Sequence, residues 1–486
     1  MNSTTRRSLL LLALPAIALG ALASARSSAP APKAPSEFLP GTTFAPISTA
    51  RGLHGPDVIS GTVANTYGGF DMEYYGTNNG ISGFAIATQA CNIGDVEADW
   101  LGGTNDVPVI VQNCYHYEDG VFRQVGLSWL KHSFCALSES ESYCGSCTDN
   151  NDCDYLAIGC ADTYWAGLNG DADGPRTLIN PSTGDYTYPF GISPSGTFAM
   201  RGKLQIKTED TDPAQNAGAR WVLEAYYMST DDAEWGNHMN NASWREITFT
   251  DTYTPASAGT TNRQDPAIMA WDSMEPGGIT IDMINTPEDA GAGRVYVGCK
   301  ATDIGGGWWH YQYAIQNLNS HRGIGSFSLP ISDCVEVQNE TFTDVFYHSG
   351  ETVDGTDWDP VRENGVMSWS SSSFDDDPMA NAIRWSTMYT FGFDANDSPT
   401  NGLAELGLWR PGPLNFIDGQ VTLPSDDCEG ICTGDINGDN MVNVNDLLIV
   451  LSFWGYLGNH YADITGDNVV GVDDLLAVIA NWGACP

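Results

Sequence analysis

Positive charge is scarce in this sequence. Its 486 residues include only 20 Lys and Arg against 61 Asp and Glu, which gives a formal net charge of −41. A surface of this sign repels phosphate backbones and anionic lipid headgroups, so nucleic acids and membrane surfaces are excluded as expected partners. The acidic residues are spread along the chain rather than gathered in one run, which is typical of a solvated exterior.

Long apolar runs are also missing, apart from one near the N-terminus. The run 9–22 follows two arginines and precedes the small residues Ala23-Ser24-Ala25. It is short for a membrane span and has the organisation of a secretory signal peptide. We therefore expect residues 1–25 to be removed, no membrane span to remain, and the protein to be secreted or held at the cell surface. The paired arginines leave twin-arginine export open as an alternative route.

Familiar catalytic motifs are absent as well. The sequence has no Gly-x-Ser-x-Gly, no His-Glu-x-x-His and no glycine-rich phosphate loop. Its 8 histidines are scattered, and none pairs at the helix or strand spacing of a metal site. Among 61 acidic residues, chance pairs are too common to select the two carboxylates of a glycosidase. No catalytic residue is predicted, and whether the protein is an enzyme stays open.

Cysteine, by contrast, is plentiful, with 12 residues. An even number in an exported protein predicts disulfides. Seven lie between residues 91 and 160, and Cys144, Cys147, Cys153 and Cys160 have a spacing that also allows zinc. Disulfides are favoured because no histidine lies among these four. This group of seven and the C-terminal group of three, Cys428, Cys432 and Cys485, are both odd in number, so either one bridge joins body to tail or two thiols stay unpaired.

The body has the pattern of a mainly β protein. Runs such as GFAIAT, VPVIVQ, RVYVGCKA and WWHYQYAIQNL alternate or are β-branched, and turn residues cluster between them. In the last run Trp309, Tyr311 and Tyr313 share one face, as in a sandwich strand. With Trp308 they would alternatively stack on sugar rings. We expect a disulfide-containing β-sandwich body of one or two domains.

Composition divides the chain into six segments. These are a signal peptide 1–25, a Pro/Ala/Ser-rich leader 26–41, a Cys-rich β domain 42–262, a β-sandwich domain 263–412, a linker 413–431 and a repeated module 432–486. The boundary near 262 follows a turn-rich stretch with few apolar residues. A single continuous domain over 42–412 is the alternative.

The C-terminus contains one pattern twice, at a shift of 28 residues. GDINGDNMVNVNDLLIVLSFWG begins at Gly434, and ADITGDNVVGVDDLLAVIANWG begins at Ala462. Oxygen-bearing residues at loop positions 1, 3, 5 and 12 have the spacing with which a twelve-residue loop wraps calcium. The predicted ligands of loop one are Asp435, Asn437, Asp439, Met441, Asn443 and Asp446. Those of loop two are Asp463, Thr465, Asp467, Val469 and Asp474.

Each loop is followed by an apolar helical stripe. The stripes consist of Leu447, Leu448, Leu451 and Trp454, and of Leu475, Leu476, Ile479 and Trp482. Val442 and Val470 at position 8 are expected to pair the two loops through a short β-contact. Loop one has Asn443 where loop two has Gly471, so loop one is expected to bind calcium more tightly.

A loop followed by one helix, duplicated at a short interval with Asp at position 12, resembles the dockerin module over residues 432–486. Position 6 is Asn440 or Asn468 rather than the glycine of a full EF-hand. The resemblance implies a small all-α module that binds two calcium ions and docks into a cohesin-like module on a scaffold or cell-surface protein. Positions 10 and 11 are Val444-Asn445 and Val472-Asp473, unlike the Ser-Thr pair of many cellulosomal dockerins.

The sequence therefore predicts a secreted modular calcium-binding protein. In this reading the dockerin-like module tethers a β-sandwich binding or structural body to a scaffold or cell-surface partner, and polysaccharide is a candidate ligand. The alternative is a secreted polysaccharide-degrading hydrolase, such as a glycoside hydrolase, that carries a dockerin, because many dockerins are appended to such enzymes.

Overall fold

The computed structural model describes residues 54–425, 433–437, 441–458 and 460–484. The predicted signal peptide and leader lie outside this part of the chain, as do Cys428, Cys432, Cys485 and Asp439. The protein is mainly β, with 41% strand and 10% helix, which confirms the predicted fold class. None of the described helices is both long and apolar enough to cross a membrane.

The first half of the body is built almost entirely from strands. They are β1 (Val58–Val63), β2 (Asn65–Thr66), β3 (Gly69–Phe70), β4 (Met72–Asn78), β5 (Ile81–Ile86), β6 (Thr88–Asn92), β7 (Ala98–Asp99), β8 (Val109–Glu118), β9 (Val121–Leu127), β10 (Lys131–His132), β11 (Tyr155–Leu156), β12 (Ala161–Tyr164), β13 (Leu204–Lys207), β14 (Arg220–Met228), β15 (Ala242–Asp251) and β16 (Thr254–Ser257). The helices are short: α1 (Ala166–Asn169), α2 (Thr208–Thr211), α3 (Thr230–Trp235) and a 3-10 turn, Arg176–Leu178.

A nine-stranded sheet forms the centre of this half. Its order is β16, β15, β14, β8, β9, β13, β5 and β4, with β10 paired to β8. The middle strands β8 and β14 are buried along nearly their whole length, so their sequences read as continuous runs of large residues rather than as an alternation. A three-stranded sheet of β1, β6 and β12 accompanies it, and β1 packs against β14.

The second half is a β-sandwich. Its elements are α4 (Met269–Met274), β17 (Thr280–Thr286), β18 (Gly293–Gly305), β19 (Trp308–Asn317), β20 (Ile324–Pro330), β21 (Val337–Thr343), β22 (Val361–Glu363), β23 (Val366–Ser370), β24 (Thr387–Ala395), β25 (Pro399–Leu408) and β26 (Phe416–Pro424). One five-stranded sheet has the order β17, β18, β19, β24, β21, and the other has the order β22, β23, β20, β25, β26. Both sheets contribute to one core, in which the rings of Phe327 and Phe391 lie 4.9 Å apart.

The aromatic face of β19 belongs to this core. Tyr311 and Tyr313 are fully buried, and Trp309 packs against the same cluster. The Tyr313 hydroxyl donates to the carbonyl of Thr422 on the opposite sheet at 2.7 Å, which satisfies its polar end. The predicted strand is therefore present, and the buried tyrosines fill the sandwich instead of offering a surface for sugar rings.

The two halves of the body share a core across the boundary predicted near residue 262. One cluster joins Val111 and Tyr226 of the first half to Tyr296, Leu318 and Trp385 of the second. A continuous body, the alternative left open by the sequence, describes this packing better than two separate cores. The turn-rich composition of this stretch predicted a domain boundary, but surface loops inside a single domain have the same composition.

The body also extends further than the sequence indicates. β26 lies inside the range predicted as a linker, 413–431, so that boundary was wrong. The Pro-Gly-Pro stretch at 411–413 lies in the turn between β25 and β26, where Leu408 N donates to Asn415 O at 2.7 Å. The buried residues Ile417, Val421 and Leu423 lie on one face of β26, the period-2 signal of a strand.

Two disulfides lie in the cysteine-rich part, Cys91–Cys144 and Cys147–Cys160. They exclude zinc bound by the four clustered cysteines, because three of those sulfurs are already in bridges. Cys334 is disulfide-bonded as well. Cys114 and Cys299 are buried free thiols, so some of the 12 cysteines behave as small core residues.

The C-terminal repeats contain β27 (Met441–Val442), α5 (Val444–Ser452), α6 (Val472–Ala480) and β28 (Gly483–Ala484) around a small core. Val442 pairs with Gly483, after the second helix. The Val470 carbonyl accepts a hydrogen bond from Gly455 N at 2.8 Å, and Val470 N donates to Tyr456 O at 3.0 Å. Both partners follow the first helix. The expected backbone pairing of Val442 with Val470 was therefore wrong. Both side chains are buried in the shared core, and each backbone pairs with the segment beyond the other helix.

Candidate metal centre

Loop two brings three carboxylates together. One ligand atom from each of Asp463, Asp467 and Asp474 lies within 4.8 Å of the others. Among the described residues this is the one group of three or more His, Cys, Asp or Glu side chains with that property. Three predicted ligands, at loop positions 1, 5 and 12, therefore converge on a place that could hold a metal ion.

Backbone N–H groups set the shape of this loop. The Asp463 carboxylate accepts from Asp467 N at 3.1 Å and from Asn468 N at 2.7 Å, and the Asp467 carboxylate accepts from Val469 N at 2.8 Å. Asn468 has φ of 66°, in the left-handed region. Asparagine enters this region more readily than most residues, so it can replace the position-6 glycine of an EF-hand.

Asp474 connects the loop to the helix behind it. Its buried carboxylate accepts from Thr465 N and Oγ1, both at 3.0 Å, and from Gly471 N at 2.7 Å. Burial alone would raise the pKa of this carboxyl, but the hydrogen bonds from Gly471 and Thr465 together outweigh burial and lower the pKa. Asp474 therefore stays ionised and caps the start of α6 at neutral pH.

Asp446 has the same position in loop one. Its carboxylate accepts from Ile436 N at 2.8 Å, Asn437 N at 3.1 Å and Asn443 N at 2.9 Å. Burial again opposes ionisation, and the three backbone donors again outweigh it, so the pKa of Asp446 is lowered. Asp435, Asn437 and Met441 belong to the described part of this loop, whereas Asp439 does not.

Asn443, a predicted ligand of loop one, caps the start of α5. Its Oδ1 accepts from Asn445 N at 2.8 Å, and its Nδ2 donates to the Met441 carbonyl at 3.0 Å. In a sequence, an N-cap asparagine and a metal-ligating asparagine look alike. The oxygen that favoured tighter binding at loop one is thus engaged with the start of α5.

The predicted apolar stripes divide into two faces. Leu447 and Leu475 pack against the small core, together with the buried Val450 and Val478. The remaining stripe residues are about half exposed, and so are Val444 and Val472. The exposed fractions are 53% for Val444, 55% for Leu448, 46% for Leu451, 50% for Trp454, 56% for Val472, 54% for Leu476, 49% for Ile479 and 53% for Trp482. Each helix therefore presents a solvent-exposed apolar face.

No protein-family model and no curated protein matches this chain. The carboxylate cluster of loop two and the exposed faces of α5 and α6 are the two features of the repeats that point to binding.

Proposed function

We propose that the C-terminal repeats form a calcium-dependent, dockerin-like docking module that attaches the β-sandwich body to a partner protein. The observation that carries the proposal is the convergence of Asp463, Asp467 and Asp474 within 4.8 Å. Calcium takes six to eight oxygen ligands, and three carboxylates with neighbouring hydroxyl and carbonyl oxygens supply a donor set of that type. Zinc would favour sulfur and imidazole donors.

In loop two, Asp463, Asp467 and Asp474 would hold the ion, joined by Thr465 and the Val469 carbonyl. The equivalent set in loop one is Asp435, Asn437, Asp439, Met441, Asn443 and Asp446. A bound cation offsets the mutual repulsion of the converging carboxylates, which otherwise opposes closure of the loop. Ion binding is therefore expected to tighten the packing of α5 and α6, because Asp446 and Asp474 cap their first turns.

The exposed apolar faces of α5 and α6 support the docking role. Contiguous exposed apolar surface on a small module is characteristic of an interaction site. The proposed partner is a cohesin-like module of a scaffold or cell-surface protein, and the protein is proposed to act outside the cell. The body would act as the binding or structural cargo, with polysaccharide as its candidate ligand, and the hydrolase alternative stays a prediction.

Calcium titration of the full chain by calorimetry tests the metal role. We expect saturable binding, and the variant Asp463→Asn should weaken the loop-two event about tenfold or more, because a charged ligand is lost. Asp473→Asn is the matched control, since it removes the same charge from the exposed neighbour of Asp474. Absence of saturable heat from the wild type would disprove the metal role.

Association with a cohesin-like scaffold module, measured by sedimentation, tests the docking role. Binding should require calcium and should be lost with a chelator. The double variant Leu448→Ser, Leu476→Ser should abolish association while leaving calcium binding unchanged. Binding that survives this variant would place the contact elsewhere on the module.

A further inference from the structure

A cavity in the body lies outside the C-terminal repeats. This open cavity of about 350 Å³ is lined by residues 177–180 and 185–187 together with His321 and Arg410. The segment 177–187 comes from the first half of the body, and the other two residues come from the sandwich. The volume is within the range of small-ligand pockets.

Arg410 is held in this cavity by aromatic rings instead of acids. Its guanidinium lies 5.2 Å from the Trp409 ring centroid and 4.9 Å from that of Phe374. Among the described residues its side chain donates no hydrogen bond and forms no ion pair, although the chain contains 61 acidic residues. Its backbone is anchored, since Arg410 N donates to Arg322 O at 2.8 Å. The guanidinium of Arg410 is thus held in place, but its N–H groups have no acceptor among the described residues.

Arg410 lies near other basic side chains, and their protonation is disfavoured. Burial, and then the charge of Arg384, lower the pKa of Arg410 to about 10. Burial, and then Arg410, lower the pKa of His321 to about 4. The guanidinium of Arg384 lies over the same indole ring, 4.1 Å from the Trp409 centroid. Two arginines and a neutral imidazole therefore share a region in which positive charge is disfavoured.

The nearby acids are engaged elsewhere or lie at the rim. Glu288 accepts from the hydroxyls of Thr286 and Ser320, each at 2.6 Å. Asp185 is exposed and accepts from Thr183 Oγ1 at 2.8 Å. The charge of Asp289 raises the pKa of His321, against the larger effects of burial and Arg410. None of the three forms an ion pair with Arg410 among the described residues.

We propose that this cavity binds the oxyanion group, a carboxylate or a sulfate, of a ligand of the body. Arginine presents parallel N–H donors that match both groups in a bidentate geometry. The Nδ2 of Asn180 is a further donor, because its Oδ1 is already taken by Ser182 N and Oγ at 3.1 and 2.8 Å. A bound anion supplies the acceptor that Arg410 lacks and offsets the charge that lowers the pKa of His321.

Titration of the full chain with sodium sulfate and, separately, with sodium glucuronate tests this proposal. Calorimetry at constant ionic strength should show saturable binding of one ligand per chain. The variant Arg410→Gln should weaken binding about tenfold or more, because a charge-assisted pair is lost. Arg201→Gln is the matched control, since it removes the same charge from an exposed arginine that stacks on Phe198 at 5.9 Å.

The two ligands also distinguish the source of the anion. Binding of glucuronate indicates an acidic sugar, whereas binding of sulfate alone indicates a sulfate group. The proposal is wrong if neither ligand binds saturably, or if Arg410→Gln and Arg201→Gln bind equally. Should Arg410→Gln fail to fold, Arg410→Lys keeps the charge but loses the planar donor pair, and it should still weaken binding severalfold. Because this cavity is separate from the calcium loops, its outcome is independent of the docking proposal.

Discussion

The buried carboxylate of Glu224 accepts a hydrogen bond from Gln316 Nε2 at 2.8 Å, which links the first half of the body to the sandwich. The same carboxylate accepts from Asn113 Nδ2, Tyr115 Oη and Ala267 N at 2.8, 2.8 and 2.7 Å. Four donors from three parts of the chain thus converge on one acid. In a buried network of this type, each group depends on all the others.

Replacement of Glu224 by glutamine should destabilise the whole body. The amide has one acceptor oxygen and presents N–H groups to existing donors, so at least one buried donor loses its partner, at a cost of about 1–3 kcal/mol. Glu246→Gln is the control, because its pair with Arg220 is partly exposed and should contribute about 1 kcal/mol or less. Urea unfolding should show one cooperative transition. Two separate transitions would mean that the halves fold independently.

A further disulfide is expected between Cys135 and Cys153. Both thiols are exposed, and Ala136 N donates to Cys153 O at 2.8 Å. The hydrogen bond between the Cys135 and Cys153 side chains favours the protonated Cys135 thiol, and together with burial it raises the pKa of Cys135 to about 11. A small-molecule disulfide would oxidise the pair by thiol–disulfide exchange, taking up both electrons and releasing two thiols.

Peptide mapping of the oxidised protein after native alkylation should therefore find Cys135 linked to Cys153. Cys114 and Cys299 should be alkylated only after unfolding, because both are buried. The bridge should stabilise the folded state by about 3 kcal/mol through loop closure, which the variant Cys153→Ser would remove. Recovery of both exposed cysteines as alkylated thiols would contradict this expectation.

Asp57 should make stability depend on pH. Burial raises the pKa of its carboxyl from 3.8 to about 6, and the hydrogen bond from Asn240 only partly opposes this. The folded state therefore holds the proton more tightly than the unfolded state. The stabilisation from Asp57 is complete below pH 3.8 and is lost as the pH rises through about 6.

The variant Asp57→Asn isolates this effect, because asparagine does not titrate. As the pH rises from 4 to 7, the free energy of unfolding of the variant should increase relative to that of the wild type. Paired urea midpoints at the two pH values measure this change, and comparison with the wild type cancels the opposite trend of His116. That histidine has a pKa lowered to about 4 by burial, and then by Arg123, so its contribution rises with pH. A wild-type–variant difference that stays constant would contradict the prediction.

Substitutions of Asp474 and of Asp463 should affect hydrogen exchange in α6 differently when calcium is added. Asp474 caps α6 through Gly471 N and also holds Thr465, so Asp474→Ala should increase hydrogen exchange in α6 with or without calcium. Asp463→Ala should increase hydrogen exchange in α6 mainly when calcium is present. The Asp463 carboxylate bonds to N–H groups of the loop rather than of the helix, so it would affect α6 through the bound ion. Exchange in the full chain, followed by mass spectrometry in calcium and in chelator, measures both. Equal behaviour of the two variants would remove the distinction between capping and metal binding.

Local patterns in the sequence predict much of this protein. The alternation in β19 identifies a sandwich strand, since side chains two residues apart must point to the same face. The duplicated loops place Asp463, Asp467 and Asp474 together because a twelve-residue turn brings its first, fifth and last positions close. Asn443 is the limit of this approach, because capping and metal binding require the same residue type.

The sequence by itself determined the β class and the carboxylate cluster of loop two, which depend on short-range periodicity. Only the tertiary structure decided that Cys91 pairs with Cys144, that β26 joins the sandwich, and that Glu224 bonds to Gln316. It alone also brought His321 and Arg410 to one cavity with the segment 177–187. Contacts between residues so far apart in the chain depend on sheet order and packing, which no local pattern records.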